Sequence, residues 1–357
     1  MGDDEYFTLD ELVSSETSES AVVYGAIEDE EEKCTFPKGY LKRQAVFACK
    51  TCYEITGKRA GVCYECSMHC HAAHEIIELY TKRHFRCDCG NSKFKGAGVC
   101  SLWEEKDDVN IENKYDHTFD GVFCTCLRPY PDPEIKENEE MYQCSICEDW
   151  FHLQHLNMPF DFQPNDDFEE LVCPNCVKRF PFLWLFYYCQ MQSRNAENAN
   201  HFSDCSSPKK AKPDDIINQP EAPGSTEACR VPYVLSVCGV EKLDPPPADM
   251  VRLTVNGFPF PSPIFWCNDW RTDTLCDCNS CEKMLENMGL EFLLDPEDSV
   301  VHYMAVGRQR VAELHARRES ICRFKEALTN FLTKPREQNV VTEEEVKEFC
   351  EDLKKDL

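Results

Sequence analysis

Pairs of cysteine or histidine set one or two residues apart constrain this chain more than any other feature. Cys49-x2-Cys52, Cys63-x2-Cys66 and His71-x2-His74 follow one another, and Cys87-x-Cys89 and Cys100 come after them. A second series reads Cys124-x-Cys126, Cys144-x2-Cys147, His152-x2-His155 and Cys173-x2-Cys176. Two donors so spaced can close on one tetrahedral ion from a tight turn, and each structural zinc contributes about 10 to 16 kcal/mol of folding energy to a module too small for a large core. The chain holds 25 cysteines in 357 residues, an excess that means either metal sites or a disulfide framework. The stretch from Met1 to Glu32 carries twelve acids and no apolar signal-peptide core, so a nuclear and/or cytoplasmic, non-secreted protein with reduced thiols is expected. The longest apolar run, Phe180 to Cys189, is ten residues, against the roughly 20 a span requires, so no membrane partner is expected.

The formal charge of -27 repels nucleic-acid phosphates and favours basic partners. It is unevenly spread. Met1 to Lys33 has twelve acids against one base, and Thr118 to Phe180 has thirteen against four. Neither cysteine-rich segment has a basic stripe dense enough to neutralise phosphates, so direct nucleic-acid binding is not expected.

Counting donors gives a stoichiometry. The first module offers Cys34, Cys49, Cys52, Cys63, Cys66, His71, His74, Cys87, Cys89 and Cys100, ten residues where three tetrahedral ions need twelve places. One thiolate shared by two ions supplies an eleventh, and the last is open among His69, Cys70, His84 and His117. The second module offers eight donors for two ions in a cross-brace. Cys124, Cys126, His152 and His155 hold one, and Cys144, Cys147, Cys173 and Cys176 the other. Five zinc ions are therefore expected, each module held together by its own.

The order Cys, CxxC, CxxC, HxxH, CDCG, Cys resembles the UBR box, the zinc module of the N-recognins, which are ubiquitin ligases or their substrate-recognition parts. The resemblance implies three zincs and an acidic pocket for a basic N-terminal residue, with Asp88 matching its first carboxylate. Asn91 and Ile55 depart from two further pocket acids, so binding of peptides beginning with Arg is expected to be weak or absent. The second series, with four cysteines, then His152, and Trp150 two residues before it, resembles a PHD finger whose sixth ligand is His155 instead of Cys. Such fingers read histone tails, and the positions matching a methyl-lysine cage are Phe123, Met141 and Trp150, with Asp132, Glu139, Glu140 and Asp149 available to basic groups. A UBR-like box followed by a PHD-like finger resembles N-recognins that carry a PHD finger in place of a ring finger.

The fold class expected is small zinc-stabilised α+β modules, a UBR box and a PHD finger with little regular structure, plus a C-terminal α+β domain ending in helices. The boundaries are an acidic disordered tail at 1–33, the box at 34–117, the finger at 118–190, a disordered linker at 191–230 and the C-terminal domain at 231–357. The linker contains Pro208-Lys-Lys-Ala-Lys212, a solvated patch or an import signal. Strands are expected at 233–240, 251–255 and 290–294. A helix is expected over 300–332, from apolar residues near a 3.6 period, and a terminal helix opens on the Thr342 to Glu345 capping box. Cys267, Cys276, Cys278 and Cys281 read either as one more metal site, with Cys267 or a distant residue as fourth ligand, or as buried free thiols. Cys189, Cys229, Cys238, Cys322 and Cys350 are expected to be free, and none stands out as an acceptor thiol. The function expected is an E3 ubiquitin ligase with a conjugating enzyme, a substrate protein and histones as partners. The alternative is a non-enzymatic reader of histone tails.

Overall fold

The computed structural model describes residues 33–134, 140–158, 168–202, 229–267, 269–334 and 341–356, with Val23, Tyr24, Ile27, Phe162 and Pro164 besides. The box is built on one hairpin, β1 (Leu41–Cys49) antiparallel to β2 (Ile76–Phe85). Two short helices, α1 (Lys50–Thr56) and α2 (Tyr64–His69), lie between them. The register slips between Ala45 and Phe47, so Leu79 and Tyr80 together face Val46, and Tyr80 takes a φ of 56°. This is a β-bulge, which bends a strand and re-aims a side chain. Leu79 stays in the core while Tyr80 turns out towards the finger.

The finger contributes β3 (Met141–Gln143), antiparallel to β4 (Trp150–His152), and β5 (Phe168–Val172), which leads into α3 (Pro174–Arg179) and α4 (Phe182–Phe202). β5 pairs with β6 (Ile264–Cys267), a strand nearly a hundred residues further on. The C-terminal segment is otherwise helical, with α5 (Val231–Cys238), α6 (Pro247–Val251), α7 (Trp270–Asp273), α8 (Asn279–Met288), α9 (Val300–Thr333) and α10 (Glu343–Asp356). Among the described residues, no helix is long and apolar enough to cross a membrane.

One buried cluster runs through both finger and C-terminal segment, from Phe151, Leu171 and Val177 through Trp184 to Trp266, Trp270 and Leu293. Trp266 and Trp270 stack at 4.4 Å, and the Trp184 indole N–H donates to the Leu253 carbonyl at 2.8 Å. A buried ion pair locks the seam. Glu170 on β5 accepts from both Nε and Nη2 of Arg271 and from the Trp270 indole, all at 2.8 Å. A smaller cluster of Val46, Ala48, Leu79, Phe85, Phe119 and Phe123 joins box to finger.

Several sequence expectations change. The finger and the C-terminal segment share a core and a sheet across the expected boundary. The expected strands at 233–240 and 290–294 are α5 and a 3-10 turn, and 251–255 holds the end of α6 and a single bridge at Val255. Their apolar residues look alike as strand or buried helix until neighbours decide. The first twelve residues of the expected linker, from Met191 to Phe202, continue α4, while Pro208 to Lys212 lies outside the described residues. Within the expected tail, Val23 and Tyr24 are buried. Tyr24 packs between Phe47, Tyr64 and Tyr303, and its hydroxyl donates to Glu78 at 2.9 Å. The close approach needs Gly307 on α9, where an added Cβ would sit 2.2 Å from Val23. α9 spans the expected helix, but Val301, Leu314, Ile321 and Phe324 of its apolar stripe are exposed. The capping box forms as expected, with Glu345 accepting from the Thr342 N–H at 2.9 Å and Thr342 from the Glu345 N–H at 3.3 Å.

Candidate metal centres and the cleft between two modules

A repeated local device positions the donors. Cys49, Cys63 and Cys173 are each the N-cap of a short helix, with Cys52, Cys66 and Cys176 one turn on. At Cys49 the side chain accepts from its helix's own N–H at the positive end, which suits a thiolate, whereas Cys63 and Cys173 make no such cap bond. The Cys52 N–H points at Cys49 Sγ, the Phe36 N–H at Cys34 Sγ and the Cys63 N–H at Cys87 Sγ, each at 3.4 Å, and the Cys173 N–H at Cys144 Sγ at 3.3 Å. The Lys106 ammonium lies 3.0 Å from Cys34 Sγ. Donors aimed at sulfur are what anionic ligands require.

In the box, three clusters form, each with its donor atoms within 4.8 Å of one another. They are Cys34, Cys63, Cys66 and Cys87; Cys49, Cys52, His71 and His74; and Cys66, Cys70, Cys89 and Cys100. Cys66 belongs to two of them, so eleven residues supply twelve places. The position left open in the sequence is Cys70. Of its rivals, His69 pairs with Glu65, His84 with Glu112 and His117 with Asp149. The finger brings together Cys124, Cys126, His152 and His155 in one cluster and Cys144, Cys147, Cys173 and Cys176 in the other.

Asp88 is placed differently from the pocket carboxylate that the resemblance implied. It is fully buried, and it accepts from the Gly61 N–H, from the amides of Asn91, Asn110 and Asn113 and from the Tyr115 hydroxyl. Burial raises its carboxyl above the usual range, and these donors oppose the rise. No oxygen remains for a peptide ammonium, and Asn91 is one of the residues that fill its coordination. Ile55 is exposed.

A cleft of about 640 Å³ opens instead where box meets finger. Its aromatic wall is Tyr80 against Trp150, ring centroids 4.2 Å apart, with Met141 and Tyr130 beside them; along the rim Glu75 pairs with Lys50, Glu78 accepts from Tyr24 and Asp120 from Arg59. Met141 and Trp150 line this cleft together. Phe123 is mostly spent in the core, and Tyr80 was missed because only the bulge turns it there. Asp149 is buried, accepting from the Cys124 and Trp150 N–H groups, and Asp132 pairs with Arg128. Glu140 accepts from the Tyr142 hydroxyl, and Glu139 lies outside the described residues.

The last cysteines converge with a distant residue, one of the two fourth partners the sequence left open. Cys229, read as free, lies 3.8 Å from Cys281 and 4.0 Å from Cys276, with Cys278 against all three. Cys267 is buried in β6 and lines a small apolar cavity with Met158 and Tyr187.

Residues 33–103 match the family described as "Putative zinc finger in N-recognin (UBR box)", and residues 118–187 match the "UBR7-like PHD finger". Both are zinc-binding modules. A mouse protein named "Putative E3 ubiquitin-protein ligase UBR7" is 36% identical over 331 residues, covering 84% of this chain and 76% of its own. The human protein of that name is 34% identical over 342 residues, with the same coverage. "Protein mlo2" of Schizosaccharomyces pombe is 43% identical over 152 residues, 42% of this chain and 45% of that one. No solved structure matches the chain.

Proposed function

Because the chain belongs to the UBR7 family of UBR-box proteins, we propose that it is an E3 ubiquitin-protein ligase that holds a basic, lysine-rich tail in the cleft between box and finger. The observation that carries the substrate class is the Tyr80–Trp150 pair with Met141 beside it and three acids on the rim. A lysine or methyl-lysine cation over such ring faces gains about 0.5 to 2 kcal/mol per contact, and the rim, where Glu75 and Asp120 already pair with Lys50 and Arg59, adds only a small, salt-sensitive attraction. Affinity is then micromolar, about -8 kcal/mol or weaker, and the histone tails expected from the sequence are the natural candidates. Catalysis is positioning. The substrate supplies the attacking lysine and a conjugating enzyme the thioester, so no nucleophile of this chain is required. Bound zinc holds the two modules in shape, with the eleven and eight clustered residues as ligands in a nuclear or cytoplasmic compartment.

The full chain is incubated with ubiquitin, activating enzyme, a panel of conjugating enzymes and a lysine-rich histone tail. Chain-dependent modification of the tail is expected, and Trp150→Ala should lower it while leaving discharge of the conjugating enzyme to free lysine unchanged. Tail binding without transfer by any conjugating enzyme would instead establish the non-enzymatic reader, which the same cleft favours.

A further inference from the structure

The four sulfurs of Cys229, Cys276, Cys278 and Cys281 lie outside both matched modules. Cys229 Sγ lies 3.8 Å from Cys281 Sγ and 4.0 Å from Cys276 Sγ, and Cys278 lies against all three. A tetrahedron with zinc–sulfur bonds of about 2.3 Å sets its sulfurs about 3.8 Å apart, whereas a disulfide would bring two of them to about 2.05 Å. The local build repeats that of the other centres. Cys278 is the N-cap of α8 and Cys281 lies in its first turn, as in the pairs at Cys49, Cys63 and Cys173. A backbone N–H again points at sulfur, here Arg230 at Cys276 Sγ at 3.3 Å. The Arg230 guanidinium adds hydrogen bonds to the carbonyls of Thr272 and Leu275, which fixes Cys229 against the loop before α8.

We propose that these four cysteines hold one further zinc ion, which clips the chain just before α5 to the start of α8. Four thiolates in a tetrahedron select zinc or iron among common metals, and the burial of Cys276 and Cys281 beside the partly exposed Cys229 and Cys278 gives a closed structural site. Elemental analysis and native mass spectrometry of the full chain test it. Wild type should hold one zinc more than Cys229→Ser or Cys276→Ser, and Cys267→Ser should keep the wild-type count. An alkylation footprint of the wild type covers the case in which those variants fail to fold. Cys322 and Cys350, which are exposed, should react at once, while Cys229 and Cys278 should react only after chelation, together with Cys276 and Cys281. Equal metal content in wild type and Cys229→Ser, iron in place of the zinc, a Cys229–Cys281 disulfide, or labelling of Cys229 as fast as Cys322 before chelation would each overturn the proposal.

Discussion

Asp88 separates a family motif from the work a side chain does. The motif made the residue legible, yet its five donors come from Gly61, Asn91, Asn110, Asn113 and Tyr115, and no spacing rule connects those positions. Removing the acceptor leaves several buried donors unpaired, at about 1 to 3 kcal/mol each. Asp88→Ala should therefore lower the denaturation midpoint markedly, with the box's zinc retained until unfolding. It should have no effect on binding of a basic tail at temperatures where the protein is folded. A calorimetric titration in which Asp88→Ala abolishes tail binding in folded protein would restore the pocket reading. Cys70 teaches the complementary lesson. Donor counting showed that one place was missing, but only the fold distinguishes it from three histidines already paired with carboxylates.

Among the elements, the bulge in β2 and the β5–β6 pairing were the least legible. A bulge is one extra residue in a strand, and Tyr80 carries no local mark of it, being neither Gly nor Asn at its φ of 56°. Tyr80→Ala should weaken the tail at least as much as a single cation–π contact is worth, about 0.5 to 2 kcal/mol. The measurement is a peptide titration at two salt concentrations, with zinc content as the control. The β5–β6 seam depends on Glu170 and Arg271, whose bidentate geometry lysine cannot reproduce. Arg271→Ala strands a buried carboxylate, a loss of about 3 to 5 kcal/mol, and Arg271→Lys should recover only part of that in chemical denaturation. The helices of the C-terminal segment were hidden for a simpler reason. Short apolar runs such as Tyr233 to Val240 fit either element until a core chooses, whereas the length of α9 and the capping box of α10 were sufficient by themselves.

At the scale of the whole molecule, three segments meet on four charged side chains. Arg43 of β1 and Arg83 of β2 both bind Asp298, just before α9, at 2.9 Å and 3.0 Å, and the Arg83 N–H donates to Glu148 of the finger at 3.1 Å. The Arg83 guanidinium also lies 3.7 Å from the Phe292 ring. The expectation that each module stands on its own ions is thereby revised, because buried charge joins all three segments, one core runs through finger and C-terminal segment, and a smaller cluster joins box to finger. Asp298→Ala should cost about 3 to 5 kcal/mol and split a single unfolding transition into two, read by scanning calorimetry. Chelation should act in the same direction. Stripping zinc from the finger should expose Trp184, Trp266 and Trp270 to quenchers, although the last two lie far beyond the finger's final ligand, Cys176, in sequence. A finger cut at residue 190 lacks β6, Trp270 and Arg271, and is expected to be far less stable than the full chain.

The residues between Phe202 and Cys229 join two points that the rest of the chain already holds, since α4 and α5 both pack into one core. Because the core holds α4 and α5 in place without help from the connection, breaking the chain between Phe202 and Cys229 removes none of these contacts. A protein nicked there should stay in one piece until denaturant separates the halves.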